Sequence, residues 1–337
     1  MLFSSRYAFL ALVAFVADVA LGASRTSPPS GAVIVRAGTT TAGEFSTVSK
    51  AVNSLPNDSS ARTIFIYPGT YTEQVNITRT GPLTIYGSTT DTTTYLKNTV
   101  NIQFGLSAGT AGSDDVSGTV RVHKNDFKLY NVNVKNTFGQ GSQAIAISQY
   151  GTRVGFYGCG FYGFQDTVLV EQGVQVFLKG FIQGATDFIF GQRGQAFFGG
   201  NTIAVTAPGY VTASGRSSND NTSYVFDGNT IVLGSGAAST TPGKFYLGRP
   251  WSDYAKVIFK NTVVNVALNS AVWSTWSTST PNTDHVFFAD YNTTGSGIAG
   301  AHRATFATQL TASQAAAYSI SSAVGSDYAT WVDTSYL

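Results

Sequence analysis

Two aspartates stand in matching places on a repeated segment. Asp166 follows Phe156 by ten residues, and Asp187 follows Phe177 by ten residues. If those segments stack as neighbouring strands, their backbones lie about 4.7–4.9 Å apart. Two bare carboxylates that close repel, so one keeps a proton near neutral pH unless a cation intervenes. An acid beside an ionised carboxylate is a pairing suited to catalysis, because one group carries a proton while the other bears charge. Asp is also common in turns, where its side chain bonds local backbone. Spacing by itself therefore leaves a turn role open.

The elements that must position the pair come from a loose repeat. Leu129–Val134, Phe156–Phe161, Phe177–Ile182, Phe198–Ile203, Phe226–Ile231 and Phe259–Val264 read alike, with starts 27, 21, 21, 28 and 33 residues apart. Each opens on a large apolar residue and closes on another five positions later, and most carry Gly or Asn between. Repeats of this length indicate solenoids or propellers. Propeller blades need about 40–45 residues and four strands each, which these intervals do not supply. The segments are short, aromatic and β-branched, separated by Gly, Asn and Thr turns. They predict an all-β, single-domain parallel β-helix over residues 24–337, with variable turns bulging from a regular stack. Ser46–Leu55 reads as a short helix capping the N-terminal end. The tail, Thr305–Leu337, is expected to pack along the outside.

Composition agrees with a turn-rich β protein. Of 337 residues, 43% are hydrophobic and only 11% charged, so Ser, Thr, Asn and Gly must make the polar surface. The formal net charge of +2 is too small to imply nucleic-acid binding and would not repel an acidic substrate. Arg6, the apolar run Tyr7–Val16 and the small residues Ala20, Gly22 and Ala23 read as a secretory signal peptide over residues 1–23. No later run is long enough to span a membrane. A secreted, soluble protein is expected. Asn57, Asn76, Asn221 and Asn292 begin glycosylation sequons. Cys159 is the sole cysteine, so stability must come from the core rather than from disulfides.

The segments around the two aspartates carry a resemblance. Gly163-Phe164-Gln165-Asp166-Thr167 and Asp187-Phe188-Ile189-Phe190-Gly191 are similar to signatures of the pectin methylesterases. Gly69-Thr70-Tyr71-Thr72-Glu73, Gln143-Ala144-Ile145-Ala146-Ile147 and Leu247-Gly248-Arg249-Pro250-Trp251 resemble three more, in the family's order. Any one motif is weak, but five in order over about 180 residues are specific. Ser148 stands where the family usually has Arg, and Gln192 where it usually has Asn. An N-terminal pro-region like that of many plant members is not expected.

The resemblance implies a right-handed parallel β-helix with an open cleft. It also implies a monomeric enzyme acting on methyl-esterified homogalacturonan, with no cofactor and no metal. Asp187 becomes the nucleophile on the ester carbonyl. Gln143 and Gln165 become oxyanion donors, because their NH₂ groups carry no charge to titrate. Asp166 becomes the general acid and then the base. Arg249 is expected to hold Asp187 ionised and lower its pKa. Trp251, Phe164 and Phe188 are expected to offer flat faces to sugar rings. Tyr71 and Glu73 read as structural.

Other chemistries fit less well. There is no G-x-S-x-G, and none of His123, His285 or His302 sits in a nucleophile context. No Cys/His cluster suggests zinc. Close carboxylates also suit glycosidic cleavage. However, Asp114-Asp115 and Asn282-Thr283-Asp284 occur in the reverse of the polygalacturonase order and read as chance. A non-catalytic pectin-binding β-helix is the alternative from another class.

Overall fold

The computed structural model describes residues 22–337, so the expected leader lies almost wholly outside the described residues. Among these, three parallel sheets of 12, 8 and 7 strands wind into a right-handed β-helix. One coil runs Val154–Tyr157, Gly160–Tyr162 and Val168–Val170; the next runs Gln172–Leu178, Phe181–Gly184 and Ile189–Gly191. Each strand joins a different sheet, and each coil lies in register on the one before.

The repeat is a single column through the core. Leu129 pairs with Phe156, Phe156 with Phe177, Phe177 with Phe198, Phe198 with Phe226 and Phe226 with Phe259. From Phe156 onward the rings stack at 4.7, 4.7, 4.3 and 4.2 Å between centroids. Parallel strands bring like residues over one another, so one aromatic per coil builds a continuous apolar spine. The Gly or Asn of the repeat has a backbone cause. The corner after the 12-stranded sheet is left-handed at Asn131, Gly158, Lys179, Gly200, Gly228, Asn261 and Asn292. Gly and Asn adopt that region most readily.

The N-terminal end is capped, and the tail packs along the outside, as expected. Helix Val48–Ser54 buries Val48, Ala51 and Val52 at the N-terminal end. The Glu73 carboxylate accepts from the Val48 and Ser49 N–H groups at 2.7 and 2.8 Å, satisfying the orphan donors of that helix. The Tyr71 hydroxyl donates to the Tyr67 carbonyl at 2.9 Å. Both motif residues are thus used structurally. The tail covers the outer face of the 12-stranded sheet, where Ala323, Val324 and Trp331 pack on Val176, Leu178 and Val225. No helix among the described residues is long and apolar enough to cross a membrane.

Candidate active site

The outer face of the 7-stranded sheet forms the floor of the site. Arg121, Ser148, Leu169, Phe190, Ala213 and Arg249 fall in one row across six strands. Their neighbours Val120, Ile147, Val168 and Ile189 point inward to the core, so strand alternation turns this row outward. Ile145, Leu169, Phe190 and Ala213 make an apolar patch, with Tyr150, Trp251 and Trp276 packed against it.

Asp166 and Asp187 sit at the turn entering this sheet. Their φ angles are +63° and +52°, and their predecessors Gln165 and Thr186 pair across the two coils. The left-handed backbone costs a non-glycine residue about 1–2 kcal/mol, least for Asp and Asn. Such strain is concentrated at functional sites. The same turn explains Gly163 of the motif and Gly184 at the matching place on the next coil. A Cβ on Gly163 would lie 2.6 Å from Thr167 Oγ1, and one on Gly184 would lie 2.2 Å from Phe188 Cβ.

Arg249 grips Asp187 with two parallel bonds. Nε donates to Oδ1 at 2.9 Å, and a terminal nitrogen donates to Oδ2 at 2.6 Å. The guanidinium is itself clamped between the rings of Tyr210 and Trp276, each 4.1 Å away. It therefore presents one fixed fork to the carboxylate. Burial raises the Asp187 pKa and the guanidinium opposes it; burial wins. The direction is opposite to the lowering expected from Arg249 by itself, because the side chain is only 9% exposed.

Asp166 has no such partner. Its buried Oδ1 receives no hydrogen bond. Burial first, then the charges of Asp187 and Asp114, raise its pKa well above the ordinary carboxylate value, with Arg249 opposing. The pair is therefore unequal. Both carboxyls are pushed upward, Asp166 further than Asp187, in keeping with Asp187 alone having a guanidinium partner.

Asp166, Asp187, Gln143, Gln165, Arg249 and Trp251 meet around one cavity of about 240 Å³. The Gln143 Oε1 accepts from Ser142 at 3.2 Å, which leaves its NH₂ free to donate. The aromatic expectations divide. Trp251 lines the cavity. Phe164 instead lines a neighbouring groove beside Tyr162 and Lys135. Phe188 is a correction: it is 0% exposed and belongs to the core. The left-handed turn at Asp187 directs the next side chain inward over Gly184, and Phe190, two residues on, is the ring that reaches the cleft.

Besides Phe190, the lining residues Asp114, Ala213 and Trp276, and Tyr210 behind Arg249, escaped the sequence reading. Trp276 and Tyr210 carry no motif, and only the fold brings them to Arg249. Asp114 lines the cavity, although Asp114-Asp115 looked like a chance match.

An acid, an ionisable carboxylate held by a guanidinium and two neutral amide donors, set in an open cleft, define a hydrolase on a parallel β-helix. The pectinesterase family model matches residues 32–327. A pectinesterase of Aspergillus aculeatus is 42% identical over 330 residues, covering 96% of this chain and 97% of that one. The crystal structure of a pectin methylesterase from Aspergillus niger has a TM-score of 0.85 at 37% identity, covering 93% of this chain and all of that one. The carrot pectin methylesterase has a TM-score of 0.80 at 26% identity, covering 92% of this chain and 98% of that one. The chain belongs to the pectinesterase family.

Proposed function

We propose that this pectinesterase removes C6 methyl esters from homogalacturonan through a covalent intermediate on Asp187. The observation that carries the reading is the asymmetric pair: Asp187 held bidentately by Arg249, and Asp166 buried without a partner.

An Asp187 oxygen attacks the ester carbonyl carbon. The oxyanion that forms is met by the NH₂ groups of Gln143 and Gln165. Collapse breaks the bond to the methoxy oxygen, which takes the Asp166 proton and leaves as methanol. The product on Asp187 is an acyl anhydride. Water then attacks that acyl carbon while Asp166, now ionised, takes its proton. The galacturonic acid released gives its proton to solvent and leaves as a carboxylate, and Asp187 returns to its pair with Arg249. Trp251 and Trp276 offer apolar faces beside the sugar ring.

Highly methylated pectin is expected to release methanol with no new reducing ends. Reducing ends without methanol would overturn the reading in favour of a glycosidase, and binding with neither product would indicate a binding module. Replacing Gln143 or Gln165 by Ala is expected to lower kcat by about 10²–10³. KM should move little, because the donors act on charge that develops only in the transition state. A tenfold rise in KM at unchanged kcat would make them ground-state binders instead. Treatment with a chelator is expected to leave kcat on a soluble methylated oligogalacturonide unchanged, because carboxamides and Arg249 supply the polarisation. Loss of activity restored by a divalent cation would contradict that assignment.

We further propose that the protein is a secreted, monomeric single domain over residues 24–337, after loss of residues 1–23. All four sequon asparagines, Asn57, Asn76, Asn221 and Asn292, are exposed and accessible to glycosylation.

A further inference from the structure

We propose that Asp114 is a positioning residue of this esterase, whose carboxylate in the cavity wall holds the proton on Asp166. The inference rests on the reading of Asp166 as acid and base.

Asp114 opens the short helix Asp114–Ser117. Its neighbour Asp115 is fully employed. Asp115 accepts from Arg121 at 2.5 Å and from Ser148 at 2.7 Å, and lies 2.9 Å from His123 Nε2. Ser148, where the family usually has Arg, thus helps to anchor this helix. Asp114, by contrast, makes no side-chain hydrogen bond and no ion pair among the described residues. It lines the same cavity as Asp166, Asp187 and Arg249. The fold is held by Asp115, and Asp114 is left facing the chemistry.

The charge balance of the cavity gives that carboxylate an effect. Asp166 is faced by Asp187 from the next coil, by Arg249 from strand Phe245–Pro250 and by Asp114 from its helix. Asp187 and Arg249 form a bidentate pair whose charges partly offset each other at Asp166, with that of Asp187 the larger. Asp114 adds to that negative excess without an ion-pair partner among the described residues, and because burial raises its own pKa its charge acts above the ordinary carboxylate range. Around Asp114 itself, Tyr150 and Glu171 are the further titratable groups that feel its charge; Glu171 is paired with Arg193. A negative charge beside Asp166 disfavours a second one, so the proton stays until the leaving methoxy oxygen takes it. The effect persists in the second half-reaction. With Asp187 acylated, Arg249 faces Asp166 without its counter-charge and weakens it as a base. Asp114 opposes that weakening.

The test uses the substrate-free full protein and the infrared band of protonated carboxyl groups. The Asp166 band is the one missing from the Asp166→Asn variant. In Asp114→Asn the midpoint of that band's pH titration is expected to fall by about 0.5–1 pH unit. The alkaline limb of kcat/KM should fall with it, and Asp114→Glu should restore both. An unmoved band in a folded Asp114→Asn variant would overturn the proposal. Should that variant fail to melt cooperatively, Asp114→Ser removes the same charge and is judged by the same band. A shifted band with an unmoved alkaline limb would uphold the hold on the proton and overturn instead the acid role of Asp166.

Discussion

Replacing Asp187 by Asn is expected to abolish methanol release, with kcat falling by about four orders of magnitude or more. The substitution is matched to the site. Asn tolerates the left-handed backbone that Asp187 adopts at φ +52°, so the turn is preserved where Ala would strain it. The amide has nearly the same shape but no charge to attack an ester. It also cannot accept two charge-assisted bonds, so the fork of Arg249 loses its match. Arg249 keeps its two aromatic faces, which holds it in place. The circular dichroism spectrum and a cooperative melt should therefore remain. The check is methanol release on highly methylated pectin beside a thermal melt. Turnover within tenfold of wild type would remove Asp187 from the nucleophile role. A folded, inactive variant that still binds pectin would separate chemistry from recognition.

The coil stack was legible because it is built from like residues in register. The column Leu129, Phe156, Phe177, Phe198, Phe226, Phe259 is a period in the chain before it is a spine in space. Its Gly and Asn corners follow from backbone sterics. The aspartate pair was legible for the same reason, since equal offsets on adjacent coils become neighbours. What the period could not carry was side-chain direction after an irregular turn. The motif points to Phe188 as the cleft aromatic, and the left-handed φ of Asp187 decides instead that Phe188 turns inward and Phe190 outward. Nor could it carry contacts made by long excursions. Trp276 follows strand Val263–Val264 in a loop with no repeat, and Asp114 lies on a short helix outside the stack. The balance between burial and ion pairing at Asp187 likewise needs its depth, which no motif records.

Replacing Asp166 by Asn is expected to cut turnover by about 10²–10⁴ and to change the protein's response to pH. In the wild type the active form carries Asp187 ionised and Asp166 protonated. Rate therefore rises with pH as Asp187 loses its proton and falls as Asp166 loses its own. Both pKa directions are upward, which places the acid limb above the ordinary carboxylate value. The Asn variant has no proton to give at this position, and the alkaline limb due to Asp166 should vanish from its residual activity. Stability should move the other way. The native Asp166 pKa lies above the unfolded one, so the folded chain holds this proton more tightly than the unfolded chain does. Its contribution is fully present below the unfolded carboxylate pKa and is lost as pH rises through the native one. Asn has no such dependence. The variant should melt close to wild type in strong acid and progressively above it toward neutral and alkaline pH. Melting curves across that range are the check. Equal melting temperatures at every pH would mean that Asp166 titrates alike in both states, and the site would then lack the protonated acid on which its chemistry depends.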